Sequence, residues 1–351
     1  MHTLPFTELY CPHPTTVNPF AQRADQQTLD WALSRQLISE TDTNLFGAAR
    51  FGLLAGCLAP KASFTTLRLL ADWCAWAVLW DDVCDRPDMH ASPLRVGSQQ
   101  QLFVTILREG AASPRNQPLA GALLDLRRRL LQRAAPGILE PFTAAVELFF
   151  AGCWAEVQNR AQQTVPPPAR YLALRRASSG MDSALHLAAL LEGCLPGAAV
   201  RRHPAIARLH RLATEAVCIA NDLISLPKEL ACGETHNLVV GLQRSQGLPL
   251  ADAFARGVEQ HNATVRAFLW HAKQRPTFGR DERVLERYLE LLRSFMSGNL
   301  AWSALTNRYC VPVGLDVAMP SLRRTPEALR VPPRRCRQHS AESDVCYVRC
   351  G

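Results

Sequence analysis

Apolar residues recur along most of this chain at the spacing of an α-helix. Five residues between positions 254 and 268 follow intervals of four and three, which places them on one helical face: Phe254, Val258, His261, Val265 and Phe268. Segment 284–295 repeats the pattern, and the alternating runs that mark strands are scarce. Proline and glycine interrupt the helical segments at intervals suited to a bundle of about ten helices. The pattern therefore predicts an all-α protein.

Two long apolar segments carry their densest polar clusters at their C-terminal ends. Segment 63–85 ends in the cluster Asp81 to Asp85, and segment 206–230 ends in the cluster Asn221 to Glu229. Helices that pass through a core do not usually concentrate polar residues in this way. Both clusters are therefore candidates for a functional site.

The first cluster contains three carboxylates within five residues. On a helix Asp81 and Asp85 are one turn apart on the same face, and Asp82 lies about 100° round the helix. Like charges at this spacing repel unless a cation lies between them, and hard oxygen ligands suit Mg²⁺. The alternative is a solvated acidic helix end without a ligand.

The second cluster places three different oxygen donors along one helical face. Asn221, Ser225 and Glu229 are spaced four residues apart, and Lys228 supplies a counter-charge. Pro227 should bend the helix between the second and third donors. A polar helix end is again the alternative, but two incomplete Mg²⁺ sites on separate helices suggest a shared polyphosphate ligand.

The two clusters read Asp-Asp-x-x-Asp and, 140 positions later, Asn-Asp-x-x-Ser-x-x-Lys-Glu. This pair resembles the two metal motifs of class I terpene synthases, in particular the bacterial single-domain cyclases. The resemblance extends over about residues 5–310, through segments that stand at the family's positions: Pro5-Phe6, Asn18-Pro19, Trp31, Tyr171 to Gly180, Thr235 to Val239, and Trp302 with Arg308-Tyr309. It implies a single helical domain, residues 1–311, around a deep apolar cavity.

The resemblance also implies how the site is divided between metal and diphosphate. Three Mg²⁺ ions would be held by five residues: Asp81, Asp85, Asn221, Ser225 and Glu229. The diphosphate would be bound by Arg175 or Arg176, Lys228, Arg308 and Tyr309. Of these, the resemblance gives Asp81, Arg176, Arg308 and Tyr309 catalytic roles.

Two adjacent arginines compete for the role of diphosphate sensor. Arg176 is favoured over Arg175, because Gly180 then follows four residues later, as in the family pattern. The alternative for both is a pair of solvated arginines on a helix.

The faces that carry the metal motifs continue into apolar residues, which should form the floor of the cavity. The predicted cavity residues on these faces are Trp73, Ala77, Val78 and Val217, and Trp302, from the C-terminal segment of the resemblance, is predicted to add an aromatic ring. Many relatives have aromatic residues where this chain has Ala77 and Val78, so the product does not follow from the motifs. Four other aromatic residues are expected to belong to the core rather than the cavity: Phe149, Phe150, Trp154 and Phe295.

Composition and charge narrow the class of protein. The chain has 351 residues, 48% of them hydrophobic, and a net charge of +8. Residues from Ser321 onward contribute +4 of that charge, so the remainder gives little support for nucleic-acid binding. The first ten residues lack the features of a signal peptide and no apolar run reaches membrane-spanning length, so we expect a cytoplasmic protein without membrane insertion. Residues 312–351, rich in Pro and Arg, are expected to form a disordered tail.

The expected activity is the Mg²⁺-dependent ionisation and cyclisation of an isoprenyl diphosphate with release of pyrophosphate. Farnesyl diphosphate, giving a sesquiterpene, is the first expectation, and geranyl and geranylgeranyl diphosphate are the alternatives. Two other classes remain open, a head-to-tail prenyltransferase and a non-catalytic isoprenoid-binding protein. The resemblance also allows a homodimer.

Overall fold

The computed structural model describes residues 6, 8–110, 116–133 and 139–310, and within these ranges it contains helices and no strand. The α-helices are α1 (Ala21–Ser34), α2 (Thr43–Ala49), α3 (Phe51–Leu58), α4 (Phe64–Cys84), α5 (Pro87–His90), α6 (Pro93–Glu109), α7 (Pro118–Leu131), α8 (Leu139–Ala161), α9 (Pro168–Ser178), α10 (Met181–Leu191), α11 (Ala198–Arg202), α12 (Pro204–Ala231), α13 (Leu238–Gln246), α14 (Leu250–Gln274) and α15 (Glu282–Leu305). The all-α prediction is confirmed.

The two helices that carry the metal motifs begin where the sequence predicts. Helix α4 starts after Ser63, whose side-chain oxygen accepts a hydrogen bond from the Thr66 amide at 3.3 Å. Helix α12 starts at Pro204, whose fixed φ suits the first helical position, and it continues through Pro227 without ending there. The described residues hold more helices than the predicted ten, because short ones such as α5 and α11 span too few residues to show a periodic pattern.

Helix α3 lies between α1 and α15, and two glycines allow this close packing. A Cβ atom on Gly52 would lie 2.1 Å from the Asp25 amide nitrogen in α1, and one on Gly298 would lie 2.5 Å from the Cys57 carbonyl oxygen in α3. Every residue of α3 is buried. Helices α3 and α15 therefore meet backbone to backbone beside the cavity described below.

The buried side chain of Asn18 is one of the contacts that hold the N-terminal segment against the bundle. The amide nitrogen of Asn18 donates to the carbonyl oxygens of Ala59 at 3.3 Å and Ala62 at 2.8 Å, between α3 and α4. The family resemblance includes the segment that contains Asn18. In the structure the Asn18 side chain binds both ends of the turn at residues 59–62, just before α4.

The predicted domain boundary at residue 311 and the tail of residues 312–351 lie outside the described residues. Both stay predictions.

Candidate active site

One cavity of about 890 Å³ lies among the helices, within the range of about 300–1,000 Å³ typical of small-molecule sites. Its mouth is polar and includes both metal motifs, whereas its deeper wall is apolar. All five predicted cavity residues line it: Trp73, Ala77, Val78, Val217 and Trp302. Phe149, Phe150 and Phe295, which were expected to belong to the core, are buried and do not line it. Trp154 does not line it either, but its side chain is 38% exposed, so the expectation that Trp154 belongs to the core is wrong: it lies at the margin of the buried face of α8.

The first motif holds its three carboxylates in three different environments. Asp81 lines the cavity, and its pKa is well above the usual value because of desolvation and the nearby negative charges of Asp85 and Glu156. Asp82 is paired with Arg308, with Nη2 2.8 Å from Oδ1. Asp85 is paired with Arg160 at 2.9 Å, but desolvation still raises the pKa of Asp85 to about 6. The negative charges of Asp81 and Asp85 therefore lie close together, and a bound cation would reduce their mutual repulsion.

The second motif also faces the cavity, and its donors are already hydrogen-bonded to protein groups. Asn221 accepts a bond from Arg175 Nη2 at 2.8 Å, and its own amide nitrogen donates to the Tyr309 hydroxyl at 2.6 Å. The Ser225 hydroxyl donates to the Asn221 carbonyl at 2.8 Å. Glu229 accepts a bond from Asn237 at 2.8 Å, and desolvation raises the pKa of Glu229 to about 7. A cation bound at the Asn221 oxygen would share that oxygen with Arg175, which Asp222 holds independently at 3.0 Å.

The remaining acid of the second motif, Asp222, is used to hold the site together. It accepts hydrogen bonds from the Tyr171 hydroxyl at 2.6 Å, from Arg175 Nε at 3.0 Å and from the Leu238 amide at 2.9 Å. All of its oxygens are therefore satisfied by protein donors that lie on α9 and at the start of α13. Asp222 positions its neighbours and is not presented to a ligand.

The structure places Arg175 at the cavity and turns Arg176 away from it, which reverses the preference drawn from the sequence. Arg175 lines the cavity and contacts both Asn221 and Asp222. Arg176 instead pairs with Glu215, and it is not among the lining residues. The two side chains are adjacent on one helix and so point about 100° apart, and counting back from Gly180 could not decide which one faces inward.

The other predicted diphosphate ligands, Lys228, Arg308 and Tyr309, all line the cavity mouth. Arg308 is oriented by Asp82, which raises the pKa of Arg308 despite the opposing effect of desolvation. Desolvation raises the pKa of Tyr309 to about 12, so this side chain is a neutral hydroxyl that can donate a hydrogen bond.

The helix is interrupted at Ser179-Gly180, between α9 and α10, at the end of the Tyr171 to Gly180 segment that belongs to the family resemblance. Gly180 has φ +67°, a conformation that favours glycine, and its carbonyl oxygen accepts a bond from Ser183 at 2.6 Å. Ser183 in turn accepts a bond from the Trp73 ring nitrogen at 3.1 Å. The break is thereby tied to the helix that carries the first metal motif.

Several polar residues that line the cavity were not predicted from the sequence, among them Glu156, Arg160, Glu234 and His236. Arg160 pairs with Asp85, Glu156 and Glu234 at 2.9, 3.6 and 2.9 Å, so it joins α8 to both metal-motif regions. In the sequence, Glu156 and Arg160 look like an ordinary pair of opposite charges four residues apart on a helix. Their role becomes visible only from the contacts of Arg160 with Asp85 and Glu234. His236 stands in a segment that the resemblance quotes, but its residue type alone gave no assignment.

The donor set suits a hard divalent cation. Carboxylate, amide and hydroxyl oxygens from Asp81, Asn221, Ser225 and Glu229 face one cavity, and thiolate or imidazole ligands are not needed. No group of three or more His, Cys, Asp or Glu in the described ranges could hold a metal ion. The two motifs therefore supply partial coordination shells that a ligand with its own oxygens would complete.

An all-α bundle with two oxygen-rich motifs above an apolar cavity defines a metal-dependent enzyme of the terpene synthase class. The family model described as "Terpene synthase family 2, C-terminal metal binding" matches residues 72–267, more than half of the chain. The chain belongs to this family of enzymes, which are metal-binding.

Curated relatives cover nearly the same length. The chain is 32% identical to a 10-epi-cubebol synthase from Sorangium cellulosum, over 87% of this chain and 98% of that protein. It is 31% identical to a (+)-T-muurolol synthase from Roseiflexus castenholzii that cyclises (2E,6E)-farnesyl diphosphate, over 86% and 93%. It is 29% identical to a germacrene A synthase from Nostoc punctiforme, over 86% and 94%.

Solved structures share the fold. A linalool/nerolidol synthase from Streptomyces clavuligerus matches with a TM-score of 0.73 and 25% identity, over 84% of this chain and 99% of that one. An α-eudesmol synthase matches with a TM-score of 0.75 and 22% identity, over 84% and 98%. The class I helical fold is thus confirmed. Across the described residues no helix is both long and apolar enough to cross a membrane.

Proposed function

We propose that this enzyme ionises farnesyl diphosphate and cyclises the resulting cation to a sesquiterpene, with Mg²⁺ as the metal. The observation that carries the proposal is the division of one cavity into an oxygen-rich and arginine-bearing mouth and an apolar interior. A diphosphate fits the mouth, a prenyl chain fits the interior, and relatives with this sequence pattern are sesquiterpene synthases.

Asp81, Asn221, Ser225 and Glu229 would hold three Mg²⁺ ions, with Asp85 close enough to contribute. Bound Mg²⁺ supplies positive charge that stabilises the departing pyrophosphate. Arg175, Lys228 and Arg308 add fixed cations at the same end of the cavity, and the Tyr309 hydroxyl adds a neutral donor. These groups are already oriented before the reaction, which lowers the barrier to breaking the carbon–oxygen bond.

The cavity walls then determine what becomes of the allylic cation. Trp73, Ala77, Val78, Val217 and Trp302 surround the space below the motifs with groups that neither attack a cation nor bring water to it. The Trp73 and Trp302 rings can stabilise positive charge through their π faces, by about 0.5–2 kcal/mol per contact. No nucleophilic side chain is required.

The test is gas chromatography–mass spectrometry of purified protein incubated separately with geranyl, farnesyl and geranylgeranyl diphosphate plus Mg²⁺. We expect cyclic C15 products and stoichiometric pyrophosphate from farnesyl diphosphate, and much lower turnover of the other two. Addition of isopentenyl diphosphate with each allylic substrate tests chain elongation. Formation of longer prenyl diphosphates with isopentenyl diphosphate would instead identify a prenyltransferase. Substrate binding without pyrophosphate release would identify a non-catalytic binding protein.

A matched variant pair checks that the activity belongs to the described site. Asn221→Ala removes a predicted metal ligand, and Asn262→Ala makes the same change on α14 in a residue that does not line the cavity and contacts the N-terminal segment and the neighbouring His261. Loss of turnover in the first variant, with retention in the second, is the expected result.

A further inference from the structure

Asn299 is a polar residue in the apolar part of the cavity wall, and no motif includes it. It lies on α15, lines the cavity, and is only 5% exposed. Its side-chain oxygen, Oδ1, has no hydrogen-bond partner. Most buried polar atoms in folded proteins are paired, so an unpaired amide oxygen at a ligand cavity calls for an explanation.

The packing of α15 fixes where Asn299 lies. Gly298 brings α15 against the Cys57 backbone of α3, and the next residue along the helix is Asn299. Leu54 and Leu58 of α3 line the same cavity, and Trp302 follows Asn299 by three residues on the same face of α15. The amide therefore belongs to a wall that is otherwise made of large apolar side chains.

A neutral prenyl chain has no donor for this oxygen, but a carbocation is attracted to it. The oxygen is the negative end of the amide dipole, and charge–dipole attraction is stronger in a site without water. An interaction that is absent with the neutral substrate and present with the cation acts selectively on the high-energy species. An oxygen left unpaired in the resting protein is free to make that interaction.

We infer that the side-chain oxygen of Asn299 stabilises a cyclised carbocation in the apolar part of the cavity and so determines how far cyclisation proceeds. Asn299 forms no bond to the intermediate and transfers no proton; it is a specificity-determining residue. The inference rests on the proposed function, because it requires that a prenyl cation is formed.

The test compares Asn299→Leu with the wild type in product profile and melting temperature. The leucine is close in size and removes the dipole, so the ratio of early-terminated linear and monocyclic products to fully cyclised products should rise about tenfold. The melting temperature should stay the same or rise, because the change removes a buried unpaired polar group. A structural role predicts the reverse, a lower melting temperature with an unchanged profile.

Two further variants keep the inference falsifiable. Asn299→Ala also removes the oxygen but leaves a smaller side chain, so it should shift the products in the same direction as Asn299→Leu, and it replaces the leucine variant if that protein does not fold. Ser303→Ala removes another buried, unpaired side-chain oxygen on α15, one that does not line the cavity, and its profile should be unchanged. Retention of the wild-type profile by Asn299→Ala, or a shift of products in Ser303→Ala, would overturn the inference.

Reactions in H₂¹⁸O distinguish two roles of Asn299: stabilisation of the cation by its dipole, and the holding of a water molecule that attacks the cation. If Asn299→Leu merely exchanges an ¹⁸O-labelled alcohol for the hydrocarbon of the same ring skeleton, Asn299 holds water and the inference is wrong. Pyrophosphate release by the wild type is measured in the same samples. Absence of release overturns the proposed function, whereas release with unchanged products in every variant overturns only the role of Asn299.

Discussion

Exchange of each adjacent arginine for lysine tests which one serves the diphosphate. Arg175→Lys keeps a positive charge but loses the geometry that reaches Asp222 at 3.0 Å and Asn221 at 2.8 Å together. Loss of one preoriented donor costs about 2.7–4 kcal/mol in other active sites, so turnover should fall about 10²- to 10³-fold. Glutamine is less suitable, because loss of the counter-charge to buried Asp222 would destabilise the fold by about 3–5 kcal/mol.

Arg176→Lys is the matched control. Arg176 pairs with Glu215 outside the cavity, and their side chains are 27% and 12% exposed. Lysine keeps a positive charge beside Glu215, which also pairs with Arg211. We expect less than about a fivefold change in kcat/KM. Steady-state pyrophosphate release gives kcat and KM, and calorimetry with Mg²⁺ and inorganic pyrophosphate gives the affinity of the diphosphate site. A larger loss in Arg176→Lys than in Arg175→Lys would refute the assignment made from the structure.

Four further predictions concern the metal site and the cavity. Asp81→Asn should lower turnover about 10²- to 10³-fold with an unchanged melting temperature, and an unchanged rate at saturating Mg²⁺ would remove Asp81 from the ligands. Because the pKa of Glu229 is raised to about 7, protons should compete with Mg²⁺ and weaken its apparent affinity about tenfold between pH 8 and pH 6. The same raised pKa makes the metal-free protein less stable as pH rises through about 7, a trend that Glu229→Gln should flatten in thermal melts. Trp302→Leu should shift the products and lower the melting temperature, since Trp302 both lines the cavity and donates to the Ala49 carbonyl at 2.8 Å; a lower melting temperature with unaltered products would make it core alone.

The sequence determined the helices and the residues of both metal motifs, because these depend on spacing along one segment. Helices α4 and α12 are recognisable from apolar periodicity and start signals, and residues four apart on a helix face the same way in any fold. Asp81, Asn221, Ser225 and Glu229 could therefore be named as candidates before any contact was known. Trp73, Ala77, Val78 and Val217 follow from the same geometry, as the faces below these motifs, whereas Trp302 was named from the family resemblance.

Contacts between distant segments were decided only by the tertiary structure. Arg175 and Arg176 differ in sequence context by one position, and the packing of α9 against α12 directs one to Asn221 and the other to Glu215. Arg160 is recognised as a residue of the site only from its ion pairs with Asp85 and Glu234, which lie 75 positions before it and 74 after it. Asn299 is an ordinary helical residue in the sequence, and it becomes a candidate only because its oxygen is left unpaired beside the cavity. Helical periodicity fixes which face of a segment is buried, but the partners of a polar group depend on how the helices pack together.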